Sequence, residues 1–115
     1  MKNNTDRIRL KQLEDNLHQI VAVLKIKYRP QQIIAYGSYV SGEIHPTSDL
    51  DILIVKDTDK SFYDRLKEVT SLVDYSVGVD FLVYTPRELE EESRQNPFVK
   101  NEILGKGKVV FREAA

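Results

Sequence analysis

The stretch Tyr36-Gly-Ser-Tyr-Val-Ser-Gly-Glu-Ile-His-Pro-Thr-Ser-Asp-Leu-Asp-Ile-Leu-Ile-Val55 decides how the chain is read. It joins a Gly-Ser pair to two aspartates, Asp49 and Asp51, that open an otherwise apolar run. Residues i and i+2 of a strand point to one face, about 6.6–7 Å apart at the backbone. Asp49 and Asp51 are therefore expected to aim together, with Leu50, Ile52 and Ile54 facing a helix-covered core on the other side. Carboxylates seldom enter such a strand unless a cation meets them. A polar turn leading into the strand is the plainer reading of the pair taken alone.

Working outward, Ile33 to Tyr36 reads as a short strand that stops at Gly37, and Ser38 to about Gly42 as a turn of helix. Before them, Leu10, Leu13, Leu17, Ile20, Val21 and Leu24 recur at helical spacing, capped by Asn4 or Thr5 and ended by Pro30. After Leu50–Val55, Asp57-Thr58-Asp59 offers a cap for a helix whose Phe62, Leu66, Val69 and Val73 form one buried stripe. Val77 to Tyr84 is a third strand. Thr85-Pro86-Arg87-Glu88 is a capping box opening an acidic helix. Asn96-Pro97 restarts a short helix bearing Phe98 and Ile103, closed by Gly105, and Val109 to Phe111 form a last strand. The expectation is one α/β domain over residues 1–115.

Asp80 lies between Val79 and Phe81 in a run that reads as buried. There it would cost several kcal/mol unless a metal or a basic side chain met it. With the second and third strands adjacent, Asp49, Asp51 and Asp80 would share a face, and their mutual repulsion favours bound magnesium, which prefers oxygen ligands. Two such ions lie roughly 3.5–4 Å apart in phosphoryl-transfer sites. Gly37 allows a close backbone approach and Ser38 opens a helix whose N–H groups suit phosphate. Taken alone, that pair reads better as a plain turn and cap.

The composition is that of an ordinary globular protein, 41% apolar and 30% charged. Seventeen basic against eighteen acidic residues leave no electrostatic footprint for strong nucleic-acid binding. The chain has no cysteine, no apolar run near the roughly 18 residues of a membrane span, and a polar start unlike a signal peptide. A cytoplasmic location is expected, with no membrane partner.

Gly37-Ser38, ten intervening residues and then Asp49-x-Asp51 resemble the signature of the DNA polymerase β-like nucleotidyltransferase superfamily. The short chain is similar to its minimal nucleotidyltransferase family. Asp80 matches the third acidic position, and "SDLDILIV", "TPREL" and "NEILGKGKVVF" extend the likeness over nearly the whole chain. The resemblance implies a small mixed sheet of about four strands with helices on one face. It implies two Mg2+ ions held by Asp49 and Asp51, with Asp80 binding the catalytic ion and helping to deprotonate an acceptor hydroxyl. Gly37 and Ser38 would hold the β- and γ-phosphates of ATP, and AMP would pass to the acceptor. Family members typically pair with a helical HEPN-domain ribonuclease and act as its antitoxin, some by adenylylating it. The alternatives are an antitoxin that binds its partner without catalysis, and an ATP-binding regulator.

Many family members carry a basic residue where this chain has Ser41, and Arg65, Arg87, Lys100 or Lys106 could substitute for it. His45 and His18 read as surface residues, Tyr39 as a packed core aromatic or one that stacks on a base or ribose, and Glu88, Glu90, Glu91 and Glu92 as a solvated helical face. Glu43 is a minor candidate ligand. The apolar face of the first helix is open to packing internally or against another subunit.

Overall fold

The computed structural model describes residues 3–114. Helix α1 (Asn4–Lys27) starts one residue earlier than expected, because Asn3 accepts the Asp6 N–H at 2.8 Å. Leu13, Leu17, Ile20 and Leu24 form its buried stripe. The helix stops before Arg29, whose φ of 55° is left-handed, and Pro30.

Strands β1 (Gln32–Tyr36), β2 (Leu50–Val55), β3 (Val79–Tyr84) and β4 (Lys108–Arg112) form one sheet in the order β3-β2-β1-β4. β1 runs antiparallel to β2 and β4, whereas β2 and β3 are parallel, so the sheet is mixed. The parallel pair is joined through α3 (Phe62–Leu72), as a crossover requires. Its register sets Asp51 beside Asp80, and Tyr36 lies opposite Asp51 on the other flank of β2.

Leu50, Ile52 and Ile54 face the main core, with Ile33, Ala35, Phe81 and Val83 beside them and α1 and α3 above. The opposite face carries a smaller layer as well. There Ile34, Tyr36, Leu53 and Val55 pack under Val99 and Ile103 of α5 (Phe98–Gly105), with Leu89 of α4 (Pro86–Gln95) alongside. Burial on both faces is why β2 reads as a nearly continuous apolar run. α5 has the wide turns of a π-helix, a rare geometry that is frequent at functional sites.

Three local expectations change. Ser61, not Asp57–Asp59, caps α3 by accepting the Asp64 N–H at 3.1 Å. Phe62 is 43% exposed and tilts against Tyr84 instead of joining a buried stripe. Arg65 is buried: it donates to Glu88 (2.6 Å) and to the carbonyls of Val83 (3.1 Å) and Lys60 (2.8 Å). It thus ties α3 to the capping box that Thr85 and Glu88 form as expected. At the far edge, the β1–β4 ladder is broken by an irregularity at Ile33/Ile34, and Lys108 and Arg112 are exposed at the ends of β4. Among the described residues, no helix is long and apolar enough to cross a membrane.

Burial raises the Glu88 carboxyl, but Arg65 and Thr85 outweigh it and hold the group below the usual range. Arg65→Met should lower stability to urea by about 2 kcal/mol at pH 7, mostly through the two orphaned carbonyls, since Glu88 is partly solvated. A depressed carboxyl stabilises above its unfolded pKa of about 4.3 and loses that contribution as pH falls through its folded value. The gap between wild type and Arg65→Met should therefore narrow, without closing, in urea titrations near pH 3.

Candidate active site

β1 ends at Tyr36 and the chain turns at Gly37, with φ 78° and ψ −152°. A β-carbon at Gly37 would sit 3.1 Å from Asp51 Cγ, so the glycine serves both the turn and the close approach of that carboxylate. The single turn α2 (Ser38–Ser41) follows and ends at Gly42, φ 84°. Ser41 is exposed, and its hydroxyl is used locally, donating to Ser38 O (3.4 Å) and accepting from Glu43 N (3.3 Å).

Asp51 leans toward β1 and rests on Gly37, while Asp49 leans toward β3 and rests on Gly78. A β-carbon at Gly78 would lie 2.7 Å from Asp49 Cγ. The two side chains thus splay to opposite neighbours, Asp49 standing one residue before β2 begins. Like charges explain the splay. Burial, then Asp80, then Asp49 push the Asp51 carboxyl above its ordinary range.

Asp51, Asp80, Gly37, Tyr36, Leu82, Phe98 and Glu102 line a cavity of ≈ 300 Å³. Of the residues expected from sequence, Gly37, Asp51 and Asp80 come together here. The Asp49 carboxylate and Ser38 do not line it. Asp49 stays at the rim, 60% exposed, with Arg9 Nη2 at 3.9 Å. Among the described residues no three acidic or histidine side chains converge on one point. Asp80 is exposed, not buried, because β3 is an edge strand whose burial alternates. A larger groove of ≈ 370 Å³ between α1 and β4 is lined by Leu17, Val21, Tyr39 and Val110 but by no carboxylate.

Sequence reasoning missed Tyr36, Phe98, Glu102, Gly78 and Arg9. Tyr36 is buried, edge-on to Phe98 at 5.9 Å. Burial first, then Asp51 and Asp80, raise its hydroxyl pKa, so it remains a hydrogen-bond donor. Glu102 enters from α5, paired with Lys106 at 3.1 Å. Only Gly78 carried a local signal, an isolated glycine at a strand entry, which often marks close approach. Of the substitute cations expected from sequence, Arg65 is spent in the fold, and Arg87 and Lys106 pair with helical neighbours. Lys100 is exposed on α5.

The donor set suits a hard divalent cation. Asp51 and Asp80 offer carboxylate oxygens side by side, and neither has a basic side chain within ion-pair reach among the described residues. The Gly37 turn leaves open backbone beside them.

Because the Asp51 pKa is raised, its charge opposes folding above that pKa, and the penalty fades as pH falls through it. Asp51→Asn should raise the ligand-free melting temperature at pH 7 by roughly 2–4 °C, and by less near pH 4. Gly78→Ala should disturb the fold only by way of Asp49. In a double-mutant cycle read by urea unfolding, its cost should vanish in an Asp49→Ala background.

A family model described as a nucleotidyltransferase domain matches residues 17–110. Two proteins of Methanocaldococcus jannaschii, each named "Putative protein adenylyltransferase", are similar along most of the chain. One is 33% identical over 102 residues, 85% of this chain and 97% of its own length. The other is 29% identical over 99 residues, 82% and 90% respectively. The crystal structure of a "putative nucleotidyltransferase" from Sulfolobus solfataricus shares the fold, with a TM-score of 0.71 at 18% identity, covering 97% of this chain and 91% of that one. The motif spacing and the sheet thus lead to the same place: the chain belongs to the nucleotidyltransferase domain family.

Proposed function

We propose that this protein transfers AMP from ATP, with magnesium, to a hydroxyl group on a partner protein. The observation that carries the reading is the pairing of Asp51 with Asp80 beside the Gly37 turn, two oxygen-donor side chains at the mouth of one cavity. Membership in the nucleotidyltransferase family supplies the reaction class, and the names of the two methanogen relatives support a protein acceptor.

In this reading Asp51 and Asp80, joined by Asp49 from the rim, hold the divalent cations. Bound there, magnesium supplies charge neutralisation on both the attacking and the leaving oxygens of an in-line displacement. Gly37 and Ser38 hold the β- and γ-phosphates through the backbone at the start of α2. The acceptor hydroxyl loses its proton to Asp80, whose exposure at the sheet edge leaves room for a bulky acceptor. The new bond forms between the acceptor oxygen and the α-phosphorus, the α–β bridging bond breaks, and pyrophosphate departs.

The partner implied by the family resemblance is a HEPN-domain ribonuclease, silenced by the transfer, which makes this chain the antitoxin of the pair. Incubation with ATP, magnesium and the partner, followed by intact mass spectrometry, should reveal an AMP adduct. Asp51→Asn and Asp80→Asn should each reduce its formation by at least about 100-fold. Neutralisation of the partner by those variants without an adduct would instead establish a binding antitoxin.

A further inference from the structure

The two loops that enter the aspartate-bearing strands are both held by one face of α1. Arg9, Gln12 and Asn16 follow one another at helical spacings of three and four. Arg9 Nε donates to Ser48 O at 2.8 Å, and its Nη1 to Gln12 Oε1 at 3.1 Å. Asn16 is only 7% exposed and grips the other loop: its Oδ1 accepts from Ser76 N at 2.7 Å and its Nδ2 donates to Ser76 Oγ at 3.1 Å. The same Nδ2 donates to Gln12 O at 2.8 Å, which links the two grips.

Ser48 immediately precedes Asp49, and Ser76 lies two residues before Gly78, the glycine on which Asp49 rests. The loops meet through Leu50 N donating to Gly78 O at 3.0 Å. Arg9 also brings the one guanidinium that approaches these carboxylates among the described residues, at 3.9 Å from Asp49. That distance to a solvated carboxylate makes it a weak ion pair. The shorter bond to Ser48 O acts on the backbone that carries Asp49.

We propose that the Arg9–Gln12–Asn16 face of α1 is a positioning clamp, which fixes the Asp49 carboxylate over Gly78 and thereby sets the divalent-cation requirement of the site. This inference rests on the reading that Asp49, Asp51 and Asp80 hold the cations. None of the three clamp residues lines the cavity; they act through the loops. Groups that orient ligands in this way typically govern metal affinity by about 10- to 100-fold.

The test is a calorimetric titration of a non-hydrolysable ATP analogue at stepped Mg2+ concentrations, at a temperature where circular dichroism shows every variant folded. Arg9→Met should raise the half-maximal Mg2+ concentration about tenfold, and Arg9→Lys, which keeps a charged donor, should recover most of the loss. Asn16→Ser, at the other end of the clamp, should shift it the same way, which keeps the test decisive if Arg9→Met does not fold. An unchanged Mg2+ requirement in the folded variants, with or without a lower melting temperature, overturns the clamp alone. Absence of Mg2+-dependent binding by the wild type overturns the reading of the site and the clamp with it.

Discussion

Asp51 and Asp80 stand side by side because β2 and β3 run parallel in matched register, and two carboxylates so placed repel each other. The geometry around them disperses that repulsion. Asp51 backs onto Gly37, Asp49 turns away onto Gly78, and Asp80 stays in water at the sheet edge. On the opposite face of the same strand, Leu50, Ile52 and Ile54 are fully buried. The core therefore stabilises the strand that carries the charges, so charge crowding at the mouth does not unfold it. The local destabilisation is confined to the mouth of the cavity, and the fold elsewhere is consistent.

Much of this was legible in the chain. β2 spans Leu50–Val55 as its apolar run indicates, and Thr85 with Glu88 forms the capping box that their spacing announces. Both depend on neighbours in sequence. The misjudged features depend on distant ones. Asp80 reads as buried until β3 is known to be an edge strand, and Phe62 fits the helical stripe until Tyr84 offers it an exposed partner. The α3 cap is the local exception: Asp57-Thr58-Asp59 is expected to cap the helix, but Ser61 stands in register with its first turn and accepts the Asp64 N–H. At the candidate site, Gly37, Asp51 and Asp80 meet as their residue types and spacing suggest, whereas Ser38 and the Asp49 carboxylate, expected with them, do not line the cavity. Arg9 meets Ser48 across 39 positions and Asn16 meets Ser76 across 60, so no local pattern could join them.

The cavity owes its far wall to the thinner of the two apolar layers. Val99 and Ile103 anchor α5 over Ile34, Tyr36, Leu53 and Val55, and the same helix presents Phe98 and Glu102 to the cavity. The larger layer, beneath α1 and α3, has no part in lining it. Regions with fewer buried side chains open at lower free energy than the core. The fold thus sets the aspartate-bearing strands against its more extensive buried layer and builds the far wall of the cavity on its thinner one.

The irregular ladder between β1 and β4 has a bearing on how the open edge of the sheet meets other chains. Sheet edges are templates on which other chains can add, and β4 is one of two such edges here. A strand arriving at β4 would meet a distorted rung near its middle and a cationic side chain, Lys108 or Arg112, at each end. Two copies laid antiparallel with the middle residues facing each other would set Lys108 against Arg112. The outermost strand is shaped against self-templated fibre growth, which lets a small domain keep an open edge without sealing it.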